Sequence, residues 1–597
     1  MLTGKYLNKY YFKYFLFYLI GILGLVSVDY LQLFVPEFLG KIIEMFDSNS
    51  QIDTNELSNI ILALIGIAFG MFLGRMLWRF TIFNASQRIE ASIRHDMFLK
   101  SERLSQRYYH ENKVGTVMAW FTTDLETIEE FLGWGSIMLV DACFQSILVL
   151  YKMFALDWAL TLIALIPILL IVIWGGLVEK FMAMKWENRQ KQFDNLYDYA
   201  QESFTGIRVI KAFVKENQQI HQFAKIARKN KDTNINFVKI SVIFDVVISL
   251  IITIILAIIL GFGGWFCYRM ATDNPVVIFG HIIKLSAGEL VTFIGFFDIL
   301  IWPMIALGQI VSMRSRAKAS YKRISDFLDQ EEEIHNPENP YVLKDIKGAI
   351  EFKNYTFNYP NSSIHSLHNL SFKIEPGQSI GIVGKIGSGK TTLVNSLLRL
   401  YNVNSDSIFI DGVDVMKCDI QSLREQIAYV PQDNFLFSDK IRNNIAFSNR
   451  NLDITQIKKA ALFADVDGNI SEFTNGYDTL SGERGVTLSG GQKQRISIAR
   501  AAVKDAPIMI MDDSVSAVDV KTEETILKNV KEMRKGKTTI IIASRVSTVS
   551  HLDKIIVLNE GNLEAFDTPD NLLKTSKTYQ TMVHLQQLEN ELAGGDQ

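Results

Sequence analysis

The chain has 597 residues, 48% of them hydrophobic and 21% charged, and a mean hydropathy of +0.14. That balance excludes intrinsic disorder, collagen and disulfide-rich scaffolds, and several ordinary soluble domains would carry a charged fraction nearer about 25%. A net charge of −3 implies no nucleic-acid partner, and Cys143, Cys267 and Cys418, far apart and without CxxC spacing, support neither a disulfide framework nor a zinc site.

The apolar residues are concentrated in the first half. Six long stretches, near 15–44, 57–84, 131–156, 158–182, 242–268 and 286–312, precede residue 313, and none of that length follows. Each exceeds the roughly 20 residues that carry a helix across a ~30 Å hydrocarbon core. Residues 1–330 are therefore expected to form a six-helix transmembrane domain in a lipid bilayer. The first stretch follows Lys5, Lys9 and Lys13. It is too long for a signal-peptide core and has no small-residue cleavage site, so it is expected to remain as a span. Basic residues gather in the 86–130 and 183–239 loops and at Arg314, Arg316 and Lys318, whereas the alternate connections are short or acidic. The positive-inside rule then places both termini in the cytoplasm, and the two long inner loops are expected to extend the spans as helical stalks.

Four acids interrupt the apolar stretches: Asp29, Asp141, Asp245 and Asp298. A carboxylate at the centre of a span costs about 2.5–3.5 kcal/mol on insertion scales, so each is expected to face a cavity or a partner. Two readings stay open: an electronegative cavity for cationic, amphipathic substrates, or acids at the inner surface or bonded to a neighbouring helix. Asp298, mid-span, fits the first best, and Asp245, at the start of its run, fits the second. Pro303 is expected to kink the last span.

Residues 331–346 read as a linker, with Pro337 and Pro340, followed by an α/β nucleotide-binding domain over 347–590 and a tail at 591–597. Gly384-Lys-Ile-Gly387-Ser388-Gly389-Lys390-Thr391 fits GxxxxGK[ST], with an apolar β-run before it and a helical run, Leu393–Leu400, behind it, and Thr392 is counted with the ATP-binding residues. The glycines let backbone N–H groups converge on phosphate, and the helix N-terminus adds positive potential. Lys390 would reach the β- and γ-phosphates of ATP, and the Thr391 hydroxyl would ligate Mg²⁺. The second Mg²⁺ partner is expected where a buried strand ends in acid, and Ile508-Met-Ile-Met-Asp512 supplies it.

Between these motifs lies Leu488-Ser489-Gly490-Gly491-Gln492, about twenty residues before the Asp512 strand. That arrangement resembles the signature of ABC-transporter ATPases, and the resemblance extends over most of the chain. Tyr359 resembles the aromatic that stacks on adenine, and Gln432 the Q-loop glutamine that senses Mg²⁺. Gly482-Glu483-Arg484-Gly485 is similar to the exporter-type loop before the signature, and Ser516-Ala-Val-Asp519 to the D-loop. Segments Asn112–Asp124 and Glu202–Glu216 look like the inner loops that carry coupling helices. Six spans fused ahead of one P-loop domain is the layout of an ABC exporter half-transporter.

Two positions depart from that family's pattern. Asp513 stands where the family usually has a water-polarising Glu, and Ser544 where it has a switch His. Everything that binds ATP is kept while two groups at the γ-phosphate are lost. The resemblance then implies the degenerate-site subunit of a heterodimer. Its own site would bind ATP and hydrolyse it slowly, and its intact signature would complete the competent site of a second half-transporter that carries the Glu and His. The expected activity is ATP-driven export of hydrophobic, cationic small molecules from a bacterial inner membrane. A lipid or peptide exporter and a regulatory ATP-binding membrane protein are the alternatives.

Overall fold

The computed structural model describes residues 3–47, 54–272, 276–278, 281–360, 366–482 and 488–594; between 168 and 183 it describes the backbone and a minority of the side chains. Contacts divide the chain into two compact units, one of residues 1–98 with 117–329 and the other of 99–116 with 330–597.

The first unit is built on long helices: α1 (Phe15–Asp47), α2 (Thr54–Arg103), α3 (Val114–Leu156), α4 (Trp158–Thr205), α5 (Glu216–Ala271) and α6 (Ala287–Leu328). Five of them, α4 excepted, are long and apolar enough to cross a membrane among the described residues. The sequence predicts six spans. The stretch expected at 158–182 falls inside α4, where the described apolar part is only Trp158–Pro167 and most side chains of the rest lie outside those described. The stalk expectation matches the helix lengths, with α4 and α5 running 48 and 56 residues.

Close packing explains where small residues sit. A Cβ on Gly40 of α1 would lie 2.5 Å from the Gly288 carbonyl oxygen of α6, so these helices approach backbone to backbone. Ser286 and Glu289 form a reciprocal capping box that starts α6, and Pro303 lies within a helix that runs unbroken to Leu328. Phe293, Phe296, Phe297 and Leu300 of α6 pack with Leu33 of α1 and with Ile255 and Ile259 of α5. Nearer the end of α6, Arg323 donates to both carboxylate oxygens of the buried Asp124, and Ser320 adds a third bond.

In the second unit, ten strands form one mixed sheet. In chain order they are β1 (Ile350–Phe357), β2 (Leu367–Ile374), β3 (Ser379–Gly384), β4 (Ile408–Ile410), β5 (Val413–Asp414), β6 (Ile427–Val430), β7 (Ile508–Asp512), β8 (Thr538–Ile542), β9 (Lys554–Asn559) and β10 (Asn562–Asp567). Across the sheet the order is β5-β4-β1-β2-β10-β9-β3-β8-β7-β6. Strands β9, β3, β8, β7 and β6 pair in parallel, and β7 and β8 are buried at every residue. Burial without alternation is what a parallel sheet covered on both faces demands. In β1 the buried positions alternate only in part, and its register with β2 shifts twice around Tyr355, as in an irregular, antiparallel flank.

The segment 99–116, expected within the membrane domain, belongs to this second unit. Lys100 pairs with Glu332 at 3.1 Å, and Arg107 and Ser105 both bond Glu333, at 2.6 and 2.8 Å. A short helix occupies Gln106–Glu111, with Asn112 as its C-cap residue. The first coupling segment was expected at Asn112–Asp124; Val114 onward instead opens α3, so the short helix lies just ahead of the expected position. The second short helix, Ile207–Ala212, falls inside the expected Glu202–Glu216.

Candidate nucleotide site

Register brings the motifs together. Ile542 of β8 is the neighbour of both Ile382 of β3 and Asp512 of β7, and Val430 of β6 is paired with Met511. Four adjacent parallel strands thus end at one edge of the sheet, within a few residues of each other in register. The glycine loop leaves β3, Ser544 lies two residues beyond β8, Asp513 one beyond β7 and Gln432 two beyond β6. Ligands of open α/β sheets bind at the carboxyl ends of the strands, which is the edge all four residues occupy.

The loop closes on α7 (Lys390–Leu397), whose N-cap Gly389 is left-handed, at φ 92°. Gly384 ends β3 with φ 156°, and a Cβ there would stand 2.2 Å from the Leu558 carbonyl oxygen and 2.6 Å from Ser388 Oγ. The Ser388 hydroxyl could turn aside, but the Leu558 carbonyl is backbone of β9 and cannot yield easily. Gly384→Ala should therefore cost several-fold or more in ATP affinity together with a lowered Tm; a variant that binds ATP and melts like the parent would show that the loop has room.

Lys390 Nζ donates to the carbonyl oxygens of Gly384 and Lys385, at 2.9 and 3.0 Å, spanning the loop it serves. Burial pushes its ammonium below the usual lysine range, against the opposing charges of Asp513 and Asp512. Asp512 is 1% exposed, and burial pushes its carboxyl up, while the Thr391 hydroxyl, Lys390 and the Tyr429 hydroxyl favour its ionised form. Its Oδ2 and Ser388 Oγ are both buried without hydrogen-bond partners. Buried polar atoms normally have partners, so two such atoms without them at the mouth of a glycine loop suit a site that takes a polar ligand. A hard oxygen-seeking cation such as Mg²⁺ fits the Thr391 hydroxyl and Asp512 carboxylate, and a phosphate fits the loop. Gln432 is exposed at the same edge.

Tyr359 packs edge-on against Phe357 and Tyr401, with centroids 5.2 and 5.3 Å away, and its hydroxyl shares a 2.9 Å hydrogen bond with Thr392. The aromatic expected to stack on adenine and the helix behind the phosphate loop are thus joined directly. Tyr401 is in turn bonded to His110 of the short Gln106–Glu111 helix, at 3.1 Å.

The two departures meet. Ser544 Oγ donates to Asp513 Oδ1 at 3.2 Å. Asp513 has a left-handed backbone, φ 45°; its N–H donates to Ile542 O, and its carbonyl accepts from Ser516 Oγ and Gln494 Nε2. The signature lies on α8 (Gly490–Ala502). Ser489 is its N-cap in a reciprocal capping box with Gln492, Ser489 and Gly490 are exposed, and Leu488 is buried beneath them. The Gln492 N–H is taken by the Ser489 hydroxyl, and Gly490 and Gly491 form the first turn ahead of it, without side chains that would screen their N–H groups from an anion. Of the loop before the signature, Glu483, Arg484 and Gly485 lie outside the described residues. Asp519 caps α9 (Val520–Met533) through the Thr522 N–H.

Three residues at this edge escaped the sequence reading. Tyr429 reaches Asp512 from β6, Gln494 ties Asp513 to the Ala517 N–H, and Gln586, of the last helix, accepts from the Val546 and Ser547 N–H groups just after Ser544. A polar tip on the otherwise apolar Ile427–Val430 run was the one signal available for Tyr429.

In the membrane unit, the candidate acids separate. Asp29 and Asp141 are buried, 4% and 9% exposed, whereas Asp298 and Asp245 are exposed in the isolated chain.

The profile of the ABC transporter transmembrane region matches residues 18–304, and that of the ABC transporter family matches 367–516. A probable multidrug resistance ABC transporter ATP-binding/permease protein of Bacillus subtilis strain 168, YheI, is 34% identical over 99% of each chain. The multidrug resistance-like ATP-binding protein MdlA of Escherichia coli K12 is 33% identical over 96% of this chain and 95% of its own. A solved bacterial Atm1-family ABC exporter with ATP bound superposes with a TM-score of 0.75, at 24% identity, over 98% of this chain and 100% of that one, a likeness of fold.

Proposed function

From the chain's membership of the ABC transporter family, which makes it an ATP-binding ATPase/translocase with an exporter fold, we propose that it is the degenerate-site half of a heterodimeric multidrug exporter. In this reading six helices span a bacterial inner membrane, with both termini in the cytoplasm. The exported molecules are hydrophobic cations, a class in keeping with the multidrug names of its relatives and with buried acids in the membrane unit.

Tyr359, the glycine loop through Thr392, Gln432 and Asp512 hold Mg-ATP in the chain's own site. When bound, Mg²⁺ neutralises charge on the β- and γ-phosphates. Leu488–Gln492 and Asp519 serve the partner's ATP, where in-line attack of water on the γ-phosphate does the work. The observation that carries the reading is the hydrogen bond from Ser544 to Asp513. A carboxylate that polarises water should present its oxygen to the γ-phosphate; this one is shorter than Glu and already engaged by the residue that replaced His. A base must lie within hydrogen-bond reach of its proton to act.

The test is ATPase activity in lipid. The chain alone should bind ATP with little turnover, and a half-transporter carrying the Glu and His should restore dye-stimulated hydrolysis and dye export. Robust hydrolysis by the chain alone would establish a homodimeric pump and sink the heterodimer reading.

A further inference from the structure

Helices α1 and α3 meet along a polar seam with three successive pairs. Lys152 donates to Glu37 at 2.7 Å, and Gln145 to Gln32 at 3.4 Å. The third pair is Asp29 with Asp141, which lie within electrostatic reach of each other. Spacings agree with the pairing, since 29, 32 and 37 recur on one face of α1, and 141, 145 and 152 on one face of α3. Two pairs are complementary, an ion pair and an amide pair. The third sets acid against acid.

These are the two candidate acids that the fold buries, at 4% and 9% exposure. Asp29 Oδ2 and Asp141 Oδ1 are both buried and without a hydrogen-bond partner. Asp141 Oδ2 accepts from Trp302 Nε1 of α6 at 3.4 Å, a long contact that a better donor would displace at little cost. The α3 backbone is π-helical over Asp141–Gln145, as it is over Trp120–Asp124 and Phe131–Gly135. Two buried carboxylate oxygens of this pair thus meet no hydrogen-bond donor, and a cation bearing N–H groups would supply both charge and donors. An indole beside them offers its ring to a cation.

We propose that Asp29, Asp141 and Trp302 form a subsite for a cationic nitrogen that bears N–H groups, an amidinium or a primary ammonium on an otherwise apolar molecule. The proposal rests on the export reading above and narrows its substrate class. Charge alone does not satisfy the pair; a cation without N–H groups leaves both acceptor oxygens without donors. An amidinium carries two N–H donors on one charged plane, which suits carboxylate acceptors, whereas a phosphonium carries none.

The test uses the full chain in lipid nanodiscs and three probes: 4′,6-diamidino-2-phenylindole, with two amidinium groups; tetraphenylphosphonium, a cation without N–H; and Nile red, neutral and apolar. Asp29→Asn and Asp141→Asn should each weaken the diamidine at least tenfold. Tetraphenylphosphonium should weaken by no more than about threefold and Nile red stay within about twofold. Diamidine binding unchanged in both variants would overturn the site and leave the cationic export reading standing. Equal loss of diamidine and phosphonium would overturn the N–H requirement. Wild-type chain that binds Nile red and neither cation would overturn the subsite and the cationic reading beneath it. If the Asn variants also lose Nile red, Trp302→Phe decides: a loss of at least threefold for the diamidine with Nile red retained supports the site, and no change overturns it.

Discussion

Replacing Asp513 by Glu and Ser544 by His together should raise hydrolysis at this chain's own nucleotide site by about 10²-fold, measured with the partner's catalytic Glu changed to Gln so that only this site turns over. The size follows from reach. Asp places its carboxylate one methylene, about 1.5 Å, behind Glu, and a misplacement of ~1 Å can cost around 10²-fold in rate. The main chain cannot advance to close that gap. It is held by Asp513 N–H to Ile542 O at 3.0 Å, and at its carbonyl by Ser516 Oγ at 2.9 Å and Gln494 Nε2 at 3.2 Å. The side chain is drawn aside as well, by the Ser544 hydroxyl. Each single substitution should therefore yield much less than the pair. Glu alone still lacks the imidazole, and His alone meets a carboxylate that remains short, so the two effects are coupled as groups in one hydrogen-bonded contact are. A double variant no faster than the parent would mean that the own site is limited elsewhere, and the degenerate reading would lose its mechanism.

The glycine loop and the Asp512 strand were legible in the sequence because each is a short run whose chemistry is written in consecutive residues. Their convergence was legible only through the motif's usual context; the structure supplies it through register, with Ile542 beside both Ile382 and Asp512. The contact between Ser544 and Asp513 was not legible, since it joins residues 31 apart across two strand ends. Nor was the clamp that Gln586 places on the chain after Ser544, 39 and 40 residues away. In the membrane unit, hydropathy found the long helices but not their faces. A span that is apolar all round has no stripe to orient it, so it was not legible that the fold would bury Asp29 and Asp141 and leave Asp298 and Asp245 exposed. The Gln106–Glu111 helix was missed for the opposite reason. Gln-Arg-Tyr-Tyr-His-Glu is polar and too short for any period, and its place is set by the charge pairs around it, Arg107 with Glu333 among them.

Ser489→Asp should lower turnover of the assembled exporter by about 10²-fold or more, a loss comparable to removing one donor from a preorganised anion site, while ATP binding at this chain's own loop stays unchanged. The substitution separates stability from function. Asp caps a helix about as well as Ser, so the N-terminus of α8 keeps an acceptor for the Gln492 N–H, now 3.2 Å from Ser489 Oγ. The position is exposed, so nothing in the chain has to move. What changes is the charge presented outward: a helix N-terminus that, in the proposed arrangement, would attract the partner's γ-phosphate would instead repel it. Lys390→Ala should give the opposite pattern. It removes the ammonium that spans the Gly384 and Lys385 carbonyls, so photolabelling of this chain by an azido-ATP should fall while hydrolysis at the partner's site continues. If Ser489→Asp instead abolishes labelling of its own chain, the signature serves the site in cis, and the head-to-tail exchange between two subunits fails with it.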